Sequence, residues 1–206
     1  MTRPLVTLKL ATSLDGRIAT SAGESRWITG PEARAEVQRL RAACDAVLIG
    51  AGTARVDDPE LLARTDPPPQ RQPMRVVLDT RFSLTPRGRL FATLDQAPVV
   101  VIGAAPSDAA RRAALEAAAV EGALAALADL GVARLLAEGG GQVAASLIGA
   151  GVVDRIEWFR APLLLGGEGR PSVGALAFTR LADAPAFRRV ALRELGPDLW
   201  ESYERA

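Results

Sequence analysis

Short apolar segments alternate with helical patterns along most of the chain. Five apolar runs have the length and the flanking turn signals of buried strands. They cover residues 5–11, 46–49, 75–78, 98–102 and 134–137. After Pro31, apolar residues recur at helical spacing at Val37, Leu40 and Cys44, which predicts the first long helix. Further strands are predicted at residues 154–161, 187–195 and 199–203, and the last two form a hairpin.

This order of elements predicts the fold class. Strands that alternate with helices form a mostly parallel central sheet with helices on both faces, and the two last strands add a C-terminal antiparallel hairpin. The chain has 206 residues and shows no internal repeat or linker-like segment, so we expect one domain over residues 1–206. An alanine-rich stretch at 107–131 predicts two helices with a break near residues 120–122.

Composition narrows the class of protein. Hydrophobic residues make up 49% of the chain and the formal net charge is +1, a balance that argues against a nucleic-acid partner. No run reaches the roughly 20 apolar residues that a membrane helix needs. The first ten residues also lack the apolar core of a signal peptide. We therefore expect a cytoplasmic protein without a membrane partner.

Two absences exclude several kinds of chemistry. The chain contains no histidine, and Cys44 is its single cysteine. Ser-His-Asp triads, imidazole acid–base catalysis, histidine-ligated zinc and an internal disulfide are therefore excluded, and no metal site is predicted. An enzyme with this sequence must rely on carboxylates, lysine, backbone amides and a borrowed cofactor.

The strongest ligand-binding signal is the segment 132–151, VARLLAEGGGQVAASLIGAG. An apolar strand ends at Glu138, three glycines follow, and a helix of small residues begins. Backbone N–H groups at such a junction favour phosphate binding. Gly139, Gly141 and Ala144 also match the loose dinucleotide fingerprint. A Rossmann fold normally carries that fingerprint on its first strand–helix unit, so the late position argues against that fold. Tight helix–sheet packing of small residues is the alternative explanation.

Other residues add to this signal. The turn from Gly50 to Arg55 is glycine-rich and is followed by Asp57, so two glycine-rich turns leave strand ends and predict one ligand at the sheet edge. Lys9 is a charge within an apolar strand, which indicates a site or an exposed face. Trp27 lies in a polar loop before a helix, where a hydrophobic staple is the alternative explanation.

Together these segments resemble the reductase domain of the bifunctional deaminase/reductase family of riboflavin biosynthesis. The matching segments are LKLATSLDGRIAT (8–20), GESRWITGPEAR (23–34), DAVLIGAGTARVDDP (45–59), RVVLDT (75–80) and LLAEGGGQVAASLIGAGVVD (135–154). The resemblance implies a dihydrofolate-reductase-like fold. It also implies NADPH-dependent reduction of the ribosyl group of 5-amino-6-(5-phosphoribosylamino)uracil to ribityl. No His/Cys cluster for the family's zinc deaminase domain is present, so we expect the reductase domain alone.

The resemblance also assigns site residues. It places the contacts with NADPH at Ala11, Trp27, Thr53, Asp57 and the loop of Gly140, Gly141, Gln142, Val143, Ala144, Ala145 and Ser146. It places the contacts with the phosphorylated pyrimidine substrate at Ser25, Arg41, Leu61, Arg64 and Glu138. Guanidinium groups suit a phosphate monoester, so the two arginines are expected to hold the phosphate. The glutamate is expected to accept hydrogen bonds from the sugar or the pyrimidine.

Further roles are predicted from the residues themselves. Thr80 and Arg81 follow a strand end, where they are candidates for the cofactor's 2′-phosphate, although a loop arginine is commonly only solvated. Because histidine is absent, Lys9 and Asp57 are the candidate catalytic proton donors.

Three functional possibilities remain open from the sequence. Besides the reductase of riboflavin biosynthesis, they are a reductase of the same fold with another substrate, including dihydrofolate, and a non-catalytic nucleotide-binding module. The family commonly forms homodimers. Trp158 and Phe159, expected to be exposed on the C-terminal strands, are candidates for such an interface.

Overall fold

A computed structural model describes residues 3–103 and 120–206. The strands are β1 (Leu5–Thr12), β2 (Arg17–Ala19), β3 (Ala46–Gly50), β4 (Met74–Leu78), β5 (Val99–Ile102), β6 (Arg134–Ala137), β7 (Arg155–Arg160), β8 (Arg170–Pro171), β9 (Phe187–Leu195) and β10 (Asp198–Arg205). The helices are α1 (Pro31–Ala42), α2 (Ala51–Asp57), α3 (Arg89–Ala92), α4 (described over 120–129) and α5 (Gly141–Gly149), with a short 3-10 turn at Leu181–Asp183.

The chain divides into two compact units, and each is described in turn. The first unit comprises Met1–Leu5 and Gln38–Gly139, and the second comprises Val6–Val37 and Gly140–Ala206. The expected single domain stays a prediction.

In the first unit four strands follow the order β5-β4-β3-β6, and the pairs are parallel. Strands β3, β4 and β6 are mostly buried and nearly continuous in apolar residues, as expected for strands covered on both faces, whereas the residues of β5 are half-buried. Val47, Ile49, Val77 and Leu136 form an apolar cluster with residues of α2 and α3. Parallel pairing brings the carboxyl ends of β3, β4 and β6 to one edge of this sheet.

Helix α3 has four residues, too few to be stable from helix propensity alone. At its start, a carboxylate oxygen of Asp58 accepts the backbone N–H of Arg89 at 2.8 Å. At its end, the fully buried guanidinium of Arg75 donates to the carbonyl oxygens of Leu90 at 2.7 Å and Thr93 at 2.9 Å. Burial lowers the pKa of Arg75. This helix was not predicted, because both groups that stabilise it come from other elements.

In the second unit β1 and β7 are parallel, and β10 pairs antiparallel with both β7 and β9. Phe159 of β7 is fully buried, and its ring stacks on Trp200 with the centroids 5.9 Å apart. The indole N–H of Trp158 donates to the hydroxyl of Thr12 at 2.9 Å. The prediction that the side chains of Trp158 and Phe159 are exposed is therefore wrong, because β7 lies between β1 and β10 and its side chains pack against other residues.

A carboxylate joins two loops of the second unit. Asp15 accepts hydrogen bonds from the hydroxyl of Ser13 at 2.5 Å and from the backbone N–H groups of Leu165 and Gly166 at 3.2 and 2.8 Å. The Ser13 hydroxyl is the largest cause that lowers the pKa of Asp15, which falls to about 2. The predicted turn at SLDGR is present and is followed by β2, which pairs with β8.

The predicted fold class is confirmed: mostly parallel strands, alternating with helices, end in an antiparallel pair. Residues 120–129 form one uninterrupted helix, so no break occurs at residues 121–122, and the helix predicted before residue 120 lies outside the described residues. Among the described helices, none is long and apolar enough to cross a membrane.

The start of α5 is in close contact with the segment 171–174. The backbone N–H of Gly174 donates to the carbonyl oxygen of Gly141 at 2.8 Å. A Cβ at Gly141 would lie 2.6 Å from the carbonyl oxygen of Pro171 and 3.3 Å from the nitrogen of Gly174. Glycine is therefore needed at this position by the packing of the chain itself.

We expect Gly141→Ala to lower the free energy of unfolding by about 1–3 kcal/mol, because the added methyl group overlaps a backbone carbonyl. Gly149→Ala, at the other end of α5, is the matched control, since a Cβ there meets nothing within 4 Å. The control should stabilise the protein by roughly 0.5–1 kcal/mol through helix propensity. Urea unfolding of both variants measures the difference, and equal stabilities would contradict this account of Gly141.

Candidate active site

The carboxyl edge of the first unit gathers several predicted site residues. Gly50 at the end of β3 lies opposite Leu78 of β4, and Leu48 lies opposite Ala137 of β6. The backbone N–H of Glu138 donates to the carbonyl oxygen of Leu48 at 2.8 Å, which extends the β6 pairing by one residue. Glu138, helix α2 and the loop after β4 therefore leave the sheet along the same edge.

Glu138 and Arg41 form a nearly buried, two-pronged ion pair. The Nε and Nη2 atoms of Arg41 lie 2.6 and 2.9 Å from the two carboxylate oxygens, and the side chains are 12% and 9% exposed. Burial disfavours the charged arginine, but the Glu138 carboxylate outweighs this effect and raises the pKa of Arg41. The Nη1 atom donates to the carbonyl oxygen of Leu62 at 3.2 Å.

This pairing changes what Arg41 can offer to a substrate. Three of the five guanidinium N–H groups already have partners within the protein. The structure thus brings two predicted substrate residues together as a pair, and Arg41 orients the carboxylate of Glu138. The role of Arg41 as a phosphate clamp stays a prediction.

Arg64 and Leu61, the other predicted substrate residues of the first unit, differ in exposure. The Arg64 side chain is 61% exposed and pairs with Glu60 at 3.1 Å. Glu60 also binds Arg89 at 2.6 Å, and the hydrogen bond from Arg89 is the largest cause that lowers the pKa of Glu60. Leu61 is only 3% exposed and belongs to the apolar cluster. Arg64 is therefore accessible to a ligand, whereas the side chain of Leu61 belongs to the core.

The predicted cofactor residues of the first unit lie on α2 and in the loop after β4. Thr53 and Asp57 are four residues apart on α2, hence on one helix face, and both are half-buried. Thr80 and Arg81 are exposed in a turn held by the buried Asp79.

The turn after β4 is organised by one carboxylate. Asp79 accepts the backbone N–H of Leu84 at 2.7 Å and the hydroxyl of Ser83 at 3.1 Å. Desolvation raises the pKa of Asp79, but these hydrogen bonds outweigh it and lower the pKa. The guanidinium of Arg55 also donates to the hydroxyl of Ser83 at 2.9 Å. The predicted contact of Arg81 with a 2′-phosphate stays a prediction.

In the second unit, Lys9 lies half-buried on β1, opposite Glu157 of β7 in a parallel register. Glu157 is buried and accepts hydrogen bonds from Arg155 at 2.6 Å, from Trp200 at 2.7 Å and from the hydroxyl of Ser202. Paired residues project to the same face of a sheet, so the single lysine of the chain shares a face with this carboxylate. Sequence reasoning missed Glu157, although a charge in the middle of an apolar strand was the available signal.

Trp27 lines a cleft of the second unit. The indole is 68% exposed, and the guanidinium carbon of Arg34 lies 4.6 Å from the ring centroid. The cleft has a volume of about 320 Å³, and Leu163 and Asp198 also line it. A carboxylate oxygen of Asp198 accepts the backbone N–H of Gly30 at 2.6 Å, which fixes the start of α1. The exposure of Trp27 contradicts the hydrophobic-staple alternative, and a flat ring beside a cation suits an aromatic, anionic ligand.

Ser25, Ala11 and the glycine loop complete the predicted residues of the second unit. Ser25 and Ala11 are half-buried, in the loop before α1 and near the end of β1. In the loop, Ala144 is fully buried and its N–H donates to the carbonyl oxygen of Gly140 at 3.1 Å. The N–H groups available to a phosphate are therefore those of the first turn, residues 141–143.

Two further observations concern the single cysteine and the acidic side chains. Burial is the largest cause that raises the pKa of the Cys44 thiol, to about 11, which makes the thiol a poor nucleophile. Within residues 3–103 and 120–206, no cluster of three or more His, Cys, Asp or Glu side chains is arranged to hold a metal ion.

Several named proteins align with this chain over nearly its whole length. A protein of Methanothermobacter thermautotrophicus, named 2,5-diamino-6-ribosylamino-4(3H)-pyrimidinone 5′-phosphate reductase, is 34% identical over 215 residues, which cover 98% of each chain. The solved structure of Acinetobacter baumannii RibD matches with a TM-score of 0.83 and 26% identity, over 99% of this chain and 58% of that one. This chain likewise spans 56% to 58% of the length of bacterial relatives named riboflavin biosynthesis protein RibD.

The fold is also similar to that of a protein with much lower sequence identity. Dihydrofolate reductase of Enterococcus faecalis matches with a TM-score of 0.57 and 16% identity, over 98% of this chain and 96% of that one. The dihydrofolate-reductase-like fold implied by the sequence is confirmed. Residues 4–200 match the model of the RibD C-terminal domain, and the chain belongs to that family.

Proposed function

We propose that this protein is an NADPH-dependent reductase that converts the ribosyl group of 5-amino-6-(5-phosphoribosylamino)uracil to ribityl. The observation that carries the proposal is the carboxylate of Glu138, which Arg41 holds at 2.6 and 2.9 Å at the carboxyl edge of the first unit. A carboxylate oriented in this way accepts hydrogen bonds from the N–H or O–H groups of a ribosylaminopyrimidine. The name of the archaeal relative, a reductase of such a phosphate, supports this class of substrate.

In this proposal, different residues bind the substrate and the cofactor. Arg64, exposed and paired only at its tip with Glu60, binds the substrate phosphate. The first-turn amides of α5 would hold the pyrophosphate of the cofactor, and Trp27 would offer an apolar surface to its nicotinamide. The cofactor supplies the hydride that reduces C1 of the opened sugar. The protein aligns the two molecules and delivers the proton that the sugar oxygen takes up.

A second candidate substrate is 2,5-diamino-6-ribosylamino-4(3H)-pyrimidinone 5′-phosphate. The relative from Methanothermobacter thermautotrophicus whose name contains this compound is 34% identical to the chain over 215 residues. This compound carries an additional amino group on the ring, and a carboxylate such as Glu138 accepts a hydrogen bond from it.

The reaction is tested by following NADPH oxidation with each of the two phosphorylated pyrimidines, with dihydrofolate and without substrate. We expect turnover with a phosphorylated pyrimidine only. Glu138→Gln keeps the size of the side chain but removes its charge, and it should lower kcat/KM by roughly 10- to 100-fold, since a charge-assisted hydrogen bond contributes about 1.5–3 kcal/mol. The 2′-phosphate contact is tested in the same assay by comparing the KM values for NADPH and NADH in the wild type and in Arg81→Ala.

Different outcomes identify the alternatives. Turnover of dihydrofolate would favour a reductase with another substrate. Binding of NADPH, followed by its fluorescence, without turnover of any compound would favour the nucleotide-binding module and contradict the proposed reaction.

Lys9 and Asp57 are the proposed proton donors. Both are half-buried, on β1 and α2 respectively, and the chain has neither a histidine nor a second lysine. Removal of a general acid lowers kcat by roughly 10²- to 10⁴-fold, so we expect a fall of that size in Lys9→Met or in Asp57→Asn. Titration of NADPH fluorescence should show unchanged cofactor affinity for Lys9→Met. Near-wild-type kcat in both variants would show that the assignment is wrong.

We further propose that the protein is cytoplasmic and that it forms a homodimer, the latter as the family resemblance implies. Among the described strands β9 pairs only with β10, so its other edge is available to a second copy. Light scattering at micromolar concentration should give twice the mass of 21.6 kDa. A monomer at that concentration would contradict the dimer.

A further inference from the structure

Residues 58–64 of the first unit, here called the substrate loop, follow α2 without regular secondary structure. Side chains from other parts of the unit bond the backbone of this loop in place of a neighbouring strand. Arg75 donates to the carbonyl oxygen of Glu60 at 3.2 Å, and Arg41 donates to that of Leu62 at 3.2 Å. The loop contains Leu61 and Arg64, two of the predicted substrate residues.

Gln72 makes the most complete of these contacts. Its Oε1 atom accepts the backbone N–H of Ala63 at 2.8 Å, and its Nε2 atom donates to the carbonyl oxygen of the same residue at 2.9 Å. Ala63 is only 2% exposed, so water does not replace these bonds easily. One side-chain amide thus satisfies both backbone groups of Ala63, as a paired strand would.

The contact fixes the residue directly before Arg64. The backbone N–H of Arg64 itself donates to the Oε1 atom of Gln38 at 2.9 Å. The main chain on both sides of the Ala63–Arg64 peptide bond is therefore held, while the guanidinium of Arg64 extends to solvent.

The surroundings allow Arg64 to change partners. Glu60, its partner in the structure, also binds Arg89 at 2.6 Å, so Glu60 keeps an ion pair when Arg64 turns to an anion. Asp58 and Leu61 have φ angles of 40° and 57°, in the left-handed region that few non-glycine residues adopt. Such a backbone persists only where neighbouring groups hold it, which is the function of the contacts to this loop.

We propose that Gln72 is a positioning residue for substrate binding. Through its two hydrogen bonds to Ala63 it sets the main chain at Arg64, and so directs that guanidinium to the phosphate of the ribosylaminopyrimidine. This inference rests on the proposed function and adds to it a residue that does not itself touch the substrate.

The test compares Gln72→Leu with Gln70→Leu, a matched variant whose exposed glutamine is two residues away on the same segment. Loss of two hydrogen bonds of ordinary strength should raise the KM for the phosphorylated pyrimidine about tenfold in Gln72→Leu. The kcat and the KM for NADPH should stay within about twofold of the wild type, because neither reports on the phosphate contact. Gln70→Leu should leave all three values unchanged.

Gln72→Glu adds a readout that a merely structural role would not change. A carboxylate accepts the Ala63 N–H but cannot donate to the Ala63 carbonyl oxygen, whereas the protonated acid does both. The ratio of the variant's KM to the wild-type KM should therefore fall as the pH is lowered from about 8 to about 5, across the range where a glutamate beside a carbonyl takes up its proton. Titration of the substrate phosphate changes the KM of both proteins equally, so its effect cancels in this ratio.

The outcomes separate this inference from the proposed function. If the wild type turns over no phosphorylated pyrimidine, the proposed function fails, and calorimetry with ribose 5-phosphate then tests the phosphate contact alone. Equal affinities of wild type and Gln72→Leu for that probe would overturn the role of Gln72. If the wild type is active, an unchanged KM in Gln72→Leu, or a pH-independent ratio in Gln72→Glu, would overturn it as well.

Discussion

Two buried guanidinium groups organise the irregular parts of the first unit, and the candidate site depends on one of them. Arg41 binds both carboxylate oxygens of Glu138 and the carbonyl oxygen of Leu62. Removing two charges from water is costly, and only close, two-pronged geometry with further hydrogen bonds offsets that cost. Because the pair is 12% and 9% exposed, the loss of either partner would leave an uncompensated charge at the sheet edge. One side chain, that of Arg41, therefore orients the carboxylate of Glu138 and holds the backbone of the substrate loop at Leu62.

The same physical principle recurs at other loops. Arg75 binds the carbonyl oxygens at the end of α3, while Asp58 binds the N–H at its start. In the second unit, Asp15 and Asp198 accept backbone N–H groups of loops distant in sequence. Charge-assisted hydrogen bonds to the backbone are stronger than neutral ones, so a few side chains replace regular structure where the chain turns. The loops that carry predicted site residues are thus held from elsewhere in their own unit.

Sequence patterns predicted the regular elements closely and the short ones poorly. β6 and β9 have the predicted bounds, because apolar runs and turn residues mark both ends of these strands. Helix α3 and strands β2 and β8 were missed, since each is stabilised by groups outside itself. Phe159 was expected on an exposed face, yet it is fully buried against Trp200. An apolar residue on a strand has the same local pattern whether one face or both faces are covered.

The sequence by itself determined the order of strands and helices, the glycine-rich junction after Glu138 and the absence of histidine chemistry. Only the tertiary structure decided how the side chains at these places are used. Arg41 and Glu138 are 97 residues apart, and Gly141 meets the backbone of residues 171–174. Gln72 satisfies both backbone groups of Ala63, nine residues earlier. Local patterns reflect periodicity and turn chemistry over a few residues, whereas these contacts arise only when packing brings distant segments together.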